Sequence, residues 1–213
     1  MNPGAPGVGV GAGGGPFRRH HPDVAHRRAV FLDRDGVLVA DVHHLRRADQ
    51  LRLLPGVPEA LARLRAAGWA LVVATNQSVV ARGWISEGEL RDIHRMLAAM
   101  LLDRGVALDA IYYCPHHPEG RVSEYRLVCP CRKPNPGMLL RGAAELGLDL
   151  SESVMVGDAL SDIEAGRRAG CRTVLMCGGV VEAEPQAVAA SDYVAADIEA
   201  AAAWILALPP RQG

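Results

Sequence analysis

Four short polar segments of this chain carry the residue types that phosphate chemistry needs, and each stands at or beyond the end of a short apolar run. Asp33-Arg34-Asp35-Gly36 follows AVFL, Thr75-Asn76-Gln77-Ser78 follows ALVVA, and Gly157-Asp158 follows VMV, with Asp162 four residues on. Lys133 lies in the loop beyond a further run, AIYY. One carboxylate can attack phosphorus, a second can move the proton of the leaving oxygen, and a third can help hold magnesium against the phosphate charge. A lysine with hydroxyl and amide donors completes a phosphate cradle.

Each segment has a plainer reading when taken alone. Asp-rich turns are common, TNQS suits an ordinary polar turn, and acids at a helix start are favoured by the macrodipole. Lys133 alone reads as a surface cation. A calcium loop fits poorly: the glycine falls at the fourth loop position, Val37 replaces a ligand, and His44 stands where that loop needs glutamate. What favours the chemical reading is coincidence, because ligands of an open parallel sheet bind beyond the carboxyl ends of its strands.

The elements that must bring those ends together are legible as short apolar runs alternating with amphipathic stretches, the pattern of a parallel sheet covered by helices. Strands are expected at Ala29 to Leu32, Ala70 to Ala74, Ala110 to Tyr113, Val154 to Val156, Thr173 to Leu175 and Tyr193 to Val194. Helices are expected near Pro58 to Ala67, Ser86 to Arg104, Pro136 to Leu146, Ser161 to Ala169 and Ile198 to Leu206. Ser86 with Glu89 forms a capping-box pattern, Asn135 precedes Pro136 at the first-turn position, and Gly170 marks a helix stop. In the helix from Ser86, the stripe Leu90, Ile93, Leu97, Met100 and Leu101 is read as core. The fold class is α/β, a doubly wound parallel sheet.

Residues 1–26 open MNPGAPGVGVGAGGGP and read as a disordered leader, 27–208 as one enzyme-sized domain, and 209–213 as a tail. With 23 Lys and Arg against 24 Asp and Glu, and 4% aromatics, the chain lacks the basic face and stacking platforms of a nucleic-acid binder. No apolar run reaches membrane-span length, and no basic-then-apolar secretory signal opens the chain, so a cytoplasmic, membrane-free protein is expected.

Of the five cysteines, three sit around one loop with a histidine. Cys114-Pro115-His116 and Cys129-Pro130-Cys131 are two pairs with one residue between their members, and alternate side chains of an extended chain point the same way. Four soft ligands with no open position describe a structural zinc site, although His117 competes with His116 by spacing. The alternatives are reduced, buried cysteines or a disulfide. Arg132 and Lys133 follow Cys131 directly, so a zinc-clamped loop would carry two cations to the mouth of the site.

FLDRDGVL, VVATNQS, CRKPNPGM and VMVGDALSD, in that order, resemble the four motifs of the haloacid dehalogenase (HAD) superfamily of phosphatases, and the resemblance covers nearly everything after the leader. It implies a HAD-like Rossmannoid domain with Asp33 as nucleophile and Asp35 as general acid/base. Magnesium would be held by Asp33, the main-chain carbonyl of Asp35, and Asp158, with Asp162 orienting a bound water. Thr75, Asn76 and Lys133 would hold phosphate. The spacing between motifs leaves no room for a large cap domain, so short loops must gate the site.

The stretch YYCPHHPEG through CPCRKPNPGM resembles the family that hydrolyses D-glycero-D-manno-heptose 1,7-bisphosphate. Histidinol phosphatases are similar but usually have fewer residues between their ligand pairs. The heptose resemblance favours His116 over His117 as ligand. It also puts Asp41, Val42, His43, His44, Gln77, Ser78 and Arg132 beside the substrate, although His43 and His44 read equally as solvent-facing loop residues. It implies a small phosphorylated sugar as partner, a catalytic magnesium and a structural zinc, in a monomer. A nucleic-acid 3'-phosphatase shares the aspartate motifs, but the charge balance disfavours it. Two positions depart from the family pattern: Val79 where glycine is common after TNQS, and Ala159 where lysine often follows Gly-Asp.

Overall fold

The structure, a computed structural model, describes residues 28–178 and 184–209. The expected leader, residues 1–26, and residues 210–213 of the expected tail lie outside the described residues. In chain order the elements are β1 (Ala29–Leu32), α1 (Val57–Ala66), β2 (Ala70–Asn76), α2 (Glu87–Leu102), β3 (Ala110–Cys114), α3 (Gly137–Leu146), β4 (Val154–Gly157), α4 (Leu160–Ala169), β5 (Arg172–Met176), α5 (Pro185–Ala190), β6 (Tyr193–Ala195) and α6 (Ile198–Leu206). Single 3-10 turns sit at Ala48–Gln50 and Ser123–Tyr125.

All six strands are parallel, in the order β3-β2-β1-β4-β5-β6. β1 is buried throughout, and its side chains divide by the strand period of two. Val30 and Leu32 enter one apolar core with Leu71 and Val73 of β2, beneath Leu61, Leu64, Leu90, Ile93 and Ile198 of α1, α2 and α6. Ala29 and Phe31 enter a second core with Ala70, Val72 and Ala74, beneath Met138 and Leu139 of α3. Helices on both faces are why these strands read as continuous apolar runs.

The expected strands and principal helices are present, with boundaries moved by one or two residues. The short α5, Pro185–Ala190, is an addition: six residues are too few to display a helical period. The Ser86 cap is made, with the Ser86 side chain accepting from Glu89 N and Glu89 Oε2 accepting from Ser86 N at 2.7 Å. Asn135 does something else. Pro136 is the residue flanking α3, and Asn135 Nδ2 donates to Cys129 O at 2.9 Å, tying the helix start to the cysteine loop. No helix among the described residues is long and apolar enough to cross a membrane.

Candidate active site and metal centre

The chain leaves β1 for β2 and β3 on one side, then returns to lay β4 on the other, so strand order reverses between β1 and β4. The crevice beyond such a switch point is where open α/β sheets bind ligands. Asp33 leaves β1 there, its N–H donating to Val156 O at 2.9 Å, and Asp158 leaves β4 immediately beside it. Asp33, Asp158 and Asp162 each bring a carboxylate oxygen within 4.8 Å of the others.

Two glycines permit that crowding. Gly36 turns with φ +77°, and a Cβ there would lie 2.0 Å from Asp158 Oδ2. At Gly157 a Cβ would lie 2.1 Å from Asp162 Cβ. Both positions exclude any side chain while the carboxylates remain where they are.

Lys133 reaches the same point from the loop between β3 and α3. Its buried Nζ lies 2.8 Å from Asp33 Oδ1, donates to Ala74 O at 2.7 Å, and stands 2.5 Å from Asp162 Oδ1. The last contact is an ion pair without the alignment of a hydrogen bond. Asp162 Oδ2 accepts from Ala159 N at 3.1 Å, so Asp162 spends its two oxygens on the lysine and on the start of α4. Asn76 clasps the Lys133 peptide from both sides, Nδ2 donating to Lys133 O and Oδ1 accepting from Lys133 N, each at 3.0 Å. That clasp commits the Asn76 side chain to positioning the lysine.

The electrostatics call for more positive charge than Lys133 supplies. Burial, offset by Lys133 and reinforced by Asp162, raises the Asp33 carboxyl to about 6. Asp158 is pushed to about 7 by desolvation and then by Asp33 and Asp162, a rise that water tempers because Asp158 faces solvent. Burial alone would lower Lys133, yet Asp162 and Asp33 outweigh it and hold the ammonium above its usual range. Three carboxylates around one ammonium, with an exposed oxygen-bearing mouth, suit a hard divalent cation.

Asp35 points into a different set of contacts. Its Oδ1 accepts from Arg34 Nε at 3.1 Å, and its Oδ2 accepts from Arg34 Nη2 at 2.8 Å and Gln77 Nε2 at 2.9 Å. Gln77 Nε2 also donates to Thr75 Oγ1 at 2.9 Å, while its bond to Asp35 links the TNQS and DRDG motifs through side chains. Arg34, wholly buried, did not stand out in the sequence as a site residue, because nothing in DRDG says which way its middle residue turns.

The register of β2 against β3 sets Asn76 beside Cys114, so the cysteine loop begins at the same sheet edge. Cys114 Sγ lies 3.4 Å from Cys129 Sγ and 3.6 Å from His116 Nδ1, while Cys131 Sγ lies 3.1 Å from Cys129 Sγ and 3.4 Å from His116 Nδ1. All four residues are buried, and the three cysteines are free thiols. The spacings approach the roughly 3.8 Å edge of a tetrahedron built on Zn–S bonds of about 2.3 Å. Hydrogen bonds from Cys114 and Cys131 hold the Cys129 thiol well below its usual range, and the bond to Cys129 pushes Cys114 up. Three sulfurs with one imidazole, all buried, suit zinc. His117 stays outside it, its Nδ1 accepting from Glu119 N at 3.1 Å.

Arg132 Nη1 donates to His116 O at 3.2 Å, bracing the loop from beneath. The segment Asp41 to His44 is exposed, with His43 and His44 at φ 49° and 74°, and it is pinned by Trp84. The His44 ring meets Trp84 edge-on at 5.0 Å, and Arg46 lies over the same indole at 4.0 Å. Ser78 Oγ accepts weakly from Arg82 Nε at 3.4 Å. Val79, the departure after TNQS, is packed in the core, and Ala159 sits in the turn before α4, where it presents no charge.

Known proteins match this arrangement. Residues 130–201 match the HAD-hydrolase-like family. The D-glycero-beta-D-manno-heptose-1,7-bisphosphate 7-phosphatase of Escherichia coli K12 is 43% identical over 166 residues, 78% of this chain and 87% of the relative. The D-glycero-D-manno-heptose-1,7-bisphosphate 7-phosphatase of Thermosynechococcus vestitus is 44% identical over 194 residues, 87% of this chain and 99% of the relative. The crystal structure of D,D-heptose 1,7-bisphosphate phosphatase from B. bronchiseptica, complexed with magnesium and phosphate, superposes with a TM-score of 0.71 at 35% identity, covering 84% of this chain and 98% of that one. With similarity of this extent on a complete α/β core, the chain belongs to the heptose bisphosphate phosphatase family of HAD-like hydrolases.

Proposed function

We propose that this protein removes the 7-phosphate of D-glycero-D-manno-heptose 1,7-bisphosphate through a phospho-aspartate formed on Asp33. The observation that carries the reading is the convergence of Asp33, Asp158 and Lys133 at the sheet's switch point. Asp33 attacks phosphorus as the bond to the sugar oxygen breaks, and Asp35 gives that oxygen its proton. A water then attacks the phosphorylated Asp33, surrenders a proton to Asp35, and releases inorganic phosphate with the aspartate restored. Lys133 holds the Asp33 carboxylate at 2.8 Å and lies beside the incoming phosphate charge.

Magnesium, held by Asp33, Asp158 and the main-chain carbonyl of Asp35, supplies charge that offsets the repulsion between phosphate and an attacking carboxylate. Thr75 and the peptide groups of the TNQS turn contribute the rest of the phosphate cradle. Zinc on Cys114, His116, Cys129 and Cys131 supplies a rigid loop base that delivers Arg132 and Lys133. Asp41, Val42, His43, His44, Ser78 and Arg132 are proposed to meet the sugar or its second phosphate, while Gln77, buried with its amide spent on Asp35, Thr75 and Arg34, acts on the site through Asp35. The reading extends to a cytoplasmic enzyme working as a monomer without nucleic acid or membrane, and free thiols at the cluster suit the reducing compartment it supposes.

Purified protein with magnesium, offered heptose bisphosphate, histidinol phosphate and a 3'-phosphorylated oligonucleotide, should release phosphate fastest from the first. A preference for histidinol phosphate or the oligonucleotide overturns the substrate assignment. Gly36→Ala tests the metal set. Its positive φ costs an alanine about 1–2 kcal/mol, and the added methyl displaces Asp158, so calorimetric titration should show magnesium affinity reduced by about tenfold or more, the scale set by disturbed metal ligands. Unchanged affinity would remove Asp158 from that set.

A further inference from the structure

Helix α2 contributes a residue to the site that no motif announces. His94 is buried on its core face, and its Nε2 lies 3.1 Å from Arg34 Nη1, sixty positions back in the chain. Arginine has no acceptor, so Nη1 donates and Nε2 must be the bare nitrogen of a neutral imidazole. Burial and the Arg34 charge both hold His94 in that neutral form. With His94 in place every nitrogen of the Arg34 guanidinium has a partner: Nε and Nη2 on Asp35, Nη2 also on Gln77 Oε1 at 2.8 Å, and Nη1 on His94.

We propose that His94 is a positioning residue for the reaction, fixing the Arg34 fork and, through it, the carboxyl of Asp35. The geometry carries this directly. Arg34 grips both oxygens of Asp35 through Nε and Nη2, and Nη2 also meets Gln77 Oε1, so without His94 the fork is held along one edge only and its Nη1 is free to swing. The contact at Nη1, from a ring set against Tyr113 at 5.2 Å, fixes the opposite edge. Tyr113 is itself tethered, its hydroxyl donating to Glu87 Oε1 at 2.6 Å at the start of α2. A rigid helix therefore sets the direction of Asp35, which is the group that must meet the leaving oxygen.

The inference rests on the phosphatase reading for its kinetic consequence, and its test has one arm that does not. His94→Phe keeps a ring against Tyr113 but offers no acceptor, His94→Leu removes both, and His94→Gln restores an acceptor oxygen. Phosphate release from heptose bisphosphate should show kcat lowered by about 10- to 100-fold in the Phe and Leu proteins, the scale for a misplaced acid/base group. KM should stay within about twofold, and the Gln protein should recover to within about threefold of wild type, as restored positioning requires. In parallel, proton exchange of the Arg34 guanidinium, followed by nitrogen-15 NMR, should be slow in wild type and Gln and fast in Phe and Leu. Either acceptor-free variant, if folded, suffices for comparison with Gln, and thermal unfolding identifies which fold. Wild-type kcat in Phe or Leu, a Gln protein as slow as Phe, or equal guanidinium exchange in all variants overturns the proposal. A wild-type protein releasing no phosphate would refute the substrate reading while the exchange data still judged His94.

Discussion

Asp33→Asn is expected to give a folded protein whose phosphate release falls by at least about 10,000-fold, equivalent to about 5.5 kcal/mol of activation free energy. An amide cannot form the bond to phosphorus, and Asp162, the other carboxylate paired with Lys133, is committed to that lysine and to the start of α4. The fold should tolerate the change. Removing one partner of a buried ion pair is usually costly because it strands the other charge. Lys133 is not stranded here, since it keeps Asp162 at 2.5 Å and Ala74 O at 2.7 Å. Burial already raises the Asp33 carboxyl to about 6, so the folded state holds that charge at a cost that asparagine relieves. Steady-state phosphate release, with thermal unfolding as the control for folding, decides the matter. Near-native turnover in a folded variant would remove the phospho-aspartate mechanism.

Cys129→Ser should lose zinc, with metal content falling from about one ion per chain toward zero because a neutral hydroxyl replaces a thiolate ligand. Cys129 is central to the cluster, its sulfur within 3.4 Å of Cys114 and 3.1 Å of Cys131. The consequence should spread along the chain. Cys131 precedes Arg132 and Lys133, and Asn135 is tied to Cys129 O, so loosening the cluster loosens the cations that face phosphate. The thermal midpoint should drop by roughly 6–12 °C, the shift that about 3 kcal/mol produces in a domain of this size, and KM should rise. Elemental analysis of the purified variant checks the first point, and unchanged zinc would sink the site.

The strands were legible because a parallel sheet covered on both faces leaves unbroken apolar runs such as ALVVA. α5 was not, since its six residues complete fewer than two turns. The Ser86 cap was legible because its partners are three residues apart, whereas Asn135, expected at a helix start, turned to a carbonyl six residues back.

Sequence by itself determined which groups can do the chemistry: carboxylates, lysine and soft ligands are covalent facts of the chain, and their spacing after apolar runs assigns them to strand ends. Tertiary structure decided what each group is doing. Asn76 clasps the Lys133 peptide across 57 positions, Lys133 pairs with Asp33 across 100, and His94 meets Arg34 across 60. Contacts at such separations depend on strand order, register and the close approaches that Gly36 and Gly157 allow, and no local pattern encodes them. DRDG therefore named Asp33 and Asp35, and the fold alone disclosed that Arg34 between them is buried against Asp35 and held from α2.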